Sequence, residues 1–100
     1  MIKITVLKKD NIINKINIEG HSDYGVEGTD IVCSAVSSIS ITSINAILSI
    51  DKKSIKVEEK DGYLDITILK HNDVIDKLIY NMLDLLEDLS LQYKKNIKFN

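Results

Sequence analysis

The chain's only cysteine, Cys33, and one of its two histidines, His21, stand twelve residues apart. Thiol and imidazole are the parts of a nucleophile–base pair: the base takes the thiol proton and the thiolate attacks an electrophilic carbon. They lie within GHSDYGVEGTDIVCSAVS, residues 20–37, which also holds three of the four glycines. A regular apolar rhythm stops at Gly20 and a different one starts at Ile31. The ten residues between, His21 to Asp30, have little reason to form helix or strand.

Thr29-Asp30 is a helix start signal, since either side chain can cap a first turn. With Asp30 as the cap, Cys33 is the third helical residue. Free backbone N–H groups and the helix dipole favour negative charge there, which suits a thiolate. The same N–H groups, that of Cys33 included, could hold the oxyanion of a tetrahedral intermediate. Asp30 keeps two readings: a cap alone, or also a third member that orients His21. Ser37, one turn after Cys33, could donate a hydrogen bond near the site or merely pack. Gly20, Gly25 and Gly28 make the intervening loop costly to order, so a mobile cover that closes over a substrate is expected.

The bland readings stand beside these. A lone cysteine is usually an inert small hydrophobe, and a histidine ending a strand is usually a surface residue. Strict alternation puts His21 in phase with Glu19 on the polar side, but Gly20 can break the pleat and leaves the ring's direction open. Asp23, Glu27 and Asp30 read most simply as solvated loop acids, with attraction of a basic substrate the weaker reading. His71 belongs to the link into the second helix and receives no role. Two histidines and one cysteine spread over residues 21–71 lack ligand-pair spacing, so no metal is expected. No Gly-Lys-Ser/Thr follows the glycines and no G-x-S-x-G elbow occurs, so no cofactor is implied.

The elements that must position these groups are legible around them. Ile2, Ile4 and Val6 alternate with Lys3 and Thr5, and Ile16 and Ile18 with Lys15, Asn17 and Glu19, giving two strands joined by the turn Lys8–Asn11. Ile31–Ile50 has no Pro or Gly and reads as a helix. Val32, Val36, Ile39, Ile47 and Ile50 are expected on its sheet-facing side, with Ile41, Ile44 and Leu48 on another. Ile55 and Val57, then Leu64, Ile66 and Ile68, give a second hairpin about Asp61-Gly62. Asn72 or Asp73 caps a second helix carrying Ile75, Leu78, Ile79, Met82, Leu86, Leu89 and Tyr93, and Ile97 and Phe99 suggest a short closing strand. The fold class is α+β: one domain over residues 1–100, strand-strand-helix-strand-strand-helix with a possible last strand, one sheet packed with two helices. The order of strands within the sheet is left open.

Composition excludes some functions. Net charge is −2 and aromatic residues are 5%, which argues against a duplex-binding surface and leaves few stacking platforms for bases. The N-terminus MIKITVLKKD is a strand pattern and not a signal peptide. No apolar run approaches ~18 residues, so no membrane span is expected. One cysteine forms no internal disulfide, and a reducing cytoplasm fits best.

Gly20-His21, the glycine-containing loop, Asp30-Ile31-Val32-Cys33 and Ala35-Val36-Ser37 together resemble the Prp family of bacterial ribosomal-processing cysteine proteases. Chain length, element order and the tail Asn96–Asn100 are similar as well. The resemblance implies a cysteine endopeptidase that removes the short N-terminal extension of a large-subunit ribosomal protein precursor, number twenty-seven. It implies His21 as catalytic histidine, Cys33 as nucleophile, and Asp30 and Ser37 as the family's supporting positions. Ser22 and Ser34 stand where alanine is common in that family. It also implies a homodimer, which the stripe Ile41, Ile44, Leu48 would suit. The rival reading is a non-catalytic module that binds a ribosomal or ribosome-assembly protein, with Cys33 merely buried.

Overall fold

The computed structural model describes residues 1–22 and 30–100. Seven elements follow in order: β1 (Ile2–Lys9), β2 (Ile12–Glu19), α1 (Ile31–Ile50), β3 (Ile55–Lys60), β4 (Tyr63–Ile68), α2 (Asp73–Gln92) and β5 (Ile97–Phe99). The expected class and order hold, closing strand included. The expected loop glycines Gly25 and Gly28 lie outside the described residues.

β1 and β2 pair antiparallel through a turn in which Asp10 and Asn11 both take positive φ, 53° and 64°. This is the left-handed pair that a two-residue hairpin needs and that Asp and Asn tolerate best among residues with a side chain. Asp61-Gly62 closes β3 on β4 with Gly62 at φ +66°. The sheet order is β3-β4-β2-β1-β5, with β5 parallel to β1. The two hairpins therefore join side by side through β2 and β4.

Strand alternation sends Ile4, Ile16, Ile18, Leu64 and Ile66 into one core with both helices. The registers place Ile16 opposite Ile66 and Ile18 opposite Leu64, so each strand presents its apolar residues to the same face. On the opposite face Asn17 stands across from Asp65. Asp65 accepts from Asn17 Nδ2 at 3.2 Å and pairs with Lys15 Nζ at 3.1 Å.

α1 departs from the expected stripe. Its buried residues are Val32, Val36, Ser40, Ile44 and Ile47; Ile39 is half-buried and Ile50 exposed. A serine occupies the middle of the core-facing row, so apolar residues alone misplace its centre, and Ile44 faces the core. The second stripe drawn for a dimer therefore loses Ile44, while Ile41 and Leu48 pack against the core cluster. α1 is also long and apolar enough, by length and composition, to cross a membrane, which corrects the expectation drawn from the lack of a long unbroken apolar run. Its serines interrupt each short run but leave the mean high. In this fold Val32, Val36, Ile44 and Ile47 are buried in the shared core. α2 buries Ile75, Ile79, Met82 and Leu86 as the spacing predicts, under an Asn72 cap that accepts from the Ile75 N–H at 3.0 Å.

Candidate active site

β2 delivers the chain to the site through Gly20. Its φ is +103°, and a Cβ there would run into the Met1 carbonyl. Its N–H donates to the Gly62 carbonyl at 2.8 Å, fastening the end of β2 to the β3–β4 turn. Gly20 is thus required by a left-handed backbone and a close approach, and this hydrogen bond anchors one of the three glycines expected to make the loop mobile.

His21 follows, with its side chain 60% exposed and its ring lying against Gly62. A Cβ at Gly62 would come within 2.7 Å of His21 Nε2, so the glycine leaves room for the imidazole. Nε2 is 4.0 Å from Asp61 Oδ2. The turn that sequence reading treats only as a hairpin signal is therefore the wall against which His21 rests.

Ser22 turns the other way and is buried. Its N–H donates to Cys33 Sγ at 3.3 Å, and its hydroxyl donates to Asp30 Oδ2. Sγ lies 3.4 Å from the Ser22 hydroxyl oxygen. The Ser22 carbonyl accepts from Asn96 Nδ2 at 2.8 Å. Neither Ser22 nor Asn96 stands out in the sequence by residue type. The available signals were that Ser22 directly follows the histidine and that Asn96 opens the tail.

Cys33 is half-buried in the first turn of α1, as expected. Asp30 is the N-cap, and its Oδ1 accepts from the Val32 N–H at 2.9 Å and the Cys33 N–H at 3.0 Å. That corrects one expectation. The Cys33 N–H already serves the cap, so it is not poised for an oxyanion. Both tasks draw on the same few free amides of the first turn, and here the carboxylate takes two of them.

His21, Cys33, Ser37 and Gly20 line one cavity of about 190 Å³. Ile2, Ile18, Val36 and Leu64 supply its apolar lining, and Lys60, Asp61 and Tyr63 also border it. Ser40 lines it too, its buried hydroxyl unpartnered among the described residues. Among the described residues no hydrogen bond joins His21 to Cys33; the imidazole faces Asp61 while the sulfur faces Ser22. The described contacts of Asp30 are with the helix amides and Ser22, which is the capping role of its two readings.

A thiol in the first turn of a helix, facing a cleft that an imidazole also lines, is what a cysteine hydrolase requires of an α+β scaffold. The chain belongs to the cysteine protease Prp family, whose model matches residues 1–98. It is 29% identical over 102 aligned positions to the ribosomal processing cysteine protease Prp of Staphylococcus aureus (strain Mu50), an alignment covering 99% of this chain and 95% of that one. It superposes on a crystal structure of the S. aureus essential ribosomal processing protease Prp with a covalently linked product peptide. The TM-score is 0.92 at 27% identity, covering 100% of this chain and 98% of that one. A Streptococcus mutans crystal structure matches with TM-score 0.80 and 25% identity, over 100% and 92% of the two chains.

Proposed function

We propose that this cysteine protease removes the short N-terminal extension of a bacterial large-subunit ribosomal protein precursor, number twenty-seven. Cys33 is the nucleophile: its sulfur attacks the scissile carbonyl, a thioester forms, and the amine of the new N-terminus leaves. His21 takes the thiol proton and returns it to the leaving amine; water then resolves the thioester. The observation that carries this reading is the shared cleft: Cys33 Sγ and the His21 ring line the same cavity, on a fold that superposes on a relative holding a product peptide.

For the reaction, the imidazole has to leave Gly62 and turn toward the sulfur. The backbone on both sides of it is fastened, at Gly20 to Gly62 and at Ser22 to Asn96. Rotation of the His21 side chain is therefore the step that completes the pair, with substrate binding as its trigger. Asp30 caps the helix under the nucleophile. Ser37 lines the cavity one turn beyond Cys33 and is the supporting hydroxyl for substrate. A cytoplasmic location fits a ribosomal substrate and an unpaired cysteine. The homodimer rests on the family resemblance alone.

The test of substrate is incubation of the chain with the full-length ribosomal protein precursor, followed by N-terminal sequencing of the product. The expected result is one cut that removes the extension. An intact precursor, or cuts scattered along it, would contradict the assignment.

A further inference from the structure

The hydrogen bond from Asn96 to the Ser22 carbonyl spans most of the chain and ends one residue from the candidate base. Asn96 sits between α2 and β5. Its own backbone is fixed twice, by donation to the Tyr93 carbonyl at 2.9 Å and by acceptance from the Ile2 N–H at 2.8 Å. Its side chain therefore projects from an anchored position, with the end of α2 on one side and the start of β1 on the other. From there Nδ2 holds the Ser22 carbonyl at 2.8 Å. On its amide side the same serine directs its N–H at Cys33 Sγ, 3.3 Å away, and through its hydroxyl it grips the Asp30 cap.

We propose that Asn96 is a positioning residue of the active site, acting through Ser22: it keeps the Ser22 N–H aimed at the Cys33 sulfur and holds the backbone that carries His21. An N–H aimed at sulfur supports the nucleophilic, negatively charged form. Its worth depends on alignment, which falls off steeply as the donor angle closes. Ser22 could not hold that alignment through its hydroxyl alone, because the hydroxyl fixes the side chain and not the peptide. The inference rests on Cys33 being the nucleophile.

The test is Asn96→Asp in the full chain. The substitution keeps size and backbone contacts, removes the donating amide, and sets a carboxylate against the Ser22 carbonyl. Two measurements are made: kcat and KM on a peptide spanning the precursor extension, and the alkylation rate of native Cys33 by iodoacetamide. The expected result is a kcat lower by about tenfold, the scale of one hydrogen bond to a charged group. KM should stay within about twofold, since a positioning defect acts on the chemical step, and alkylation should slow in parallel. Asn100→Asp is the control: it breaks a comparable tail hydrogen bond, Asn100 Nδ2 to Thr5 Oγ1 at 3.2 Å, and should change neither rate. Unchanged rates in Asn96→Asp, or losses that only track the unfolded fraction in a thermal melt, would overturn the proposal. If the wild-type chain cleaves no such peptide, the substrate assignment fails, while alkylation still decides the role of Asn96.

Discussion

The Asp30 carboxylate engages, among the described residues, the Val32 and Cys33 amides through Oδ1 and the Ser22 hydroxyl through Oδ2. The sequence predicts the cap, because Asp before a helical run is a common start. It does not reveal that capping takes two of the amides also wanted for an oxyanion, those of Val32 and Cys33, since that competition shows only in the geometry. Asp30→Ala should destabilise the fold by about 1 kcal/mol, the usual worth of a cap, read as a lower denaturant midpoint. The opposite face of the cleft depends on Gly62. Gly62→Ala must adopt φ +66° and place a methyl 2.7 Å from the His21 ring. Cleavage should fall by more than the fraction unfolded accounts for, because the imidazole is displaced as well. Equal losses of cleavage and folded protein would show that the turn matters only for stability. The Asp61 carboxylate is fully exposed at 4.0 Å from Nε2, and exposed pairs are worth ~0–1 kcal/mol. Asp61→Asn should therefore leave kcat/KM within about fivefold of wild type by that energy scale.

At the scale of elements, α1 shows where periodicity succeeds and where it slips. Val32, Val36 and Ile47 face the core as the spacing predicts. Ser40 does too, because a 3.6-residue helix carries positions 36, 40 and 44 along one row whatever their polarity. The buried Ser40 hydroxyl has no partner among the described residues. Ser40→Ala should therefore stabilise the fold by about 1 kcal/mol, the cost of an unsatisfied buried hydroxyl; a lower melting temperature would show that the hydroxyl is satisfied in solution. The other end of α1 is capped by Asp51. The Lys53 N–H and then the Lys70 ammonium hold the Asp51 carboxyl below its usual range. A carboxyl depressed by folding adds stability above its ordinary value of ~3.9, lost as pH falls through the folded value. The stability gap between wild type and Asp51→Asn should be present at neutral pH and close in strong acid.

Over the whole molecule, four strands and two helices are legible, with a fifth strand suggested, because each is a local pattern of alternation or helical spacing bounded by turn residues. The sheet order is not, because its deciding pairs are distant in sequence. β2 pairs with β4 across α1, and β5 returns beside β1. The site has the same division. His21 and Cys33 could be picked out by residue type and spacing, while Ser22, Asn96 and the Gly62 wall come from tertiary contacts. The return of β5 is what brings Asn96 to the Ser22 carbonyl, so the strand hardest to foresee also supports the site.

The central claim is that Cys33 performs the chemistry. Its most direct test is cleavage of a peptide spanning the precursor extension by wild type and by Cys33→Ala, with folding of both verified by thermal melt. The account predicts a single cut by wild type and none above background by a fully folded Cys33→Ala; cleavage at the same bond that survives the substitution would contradict it.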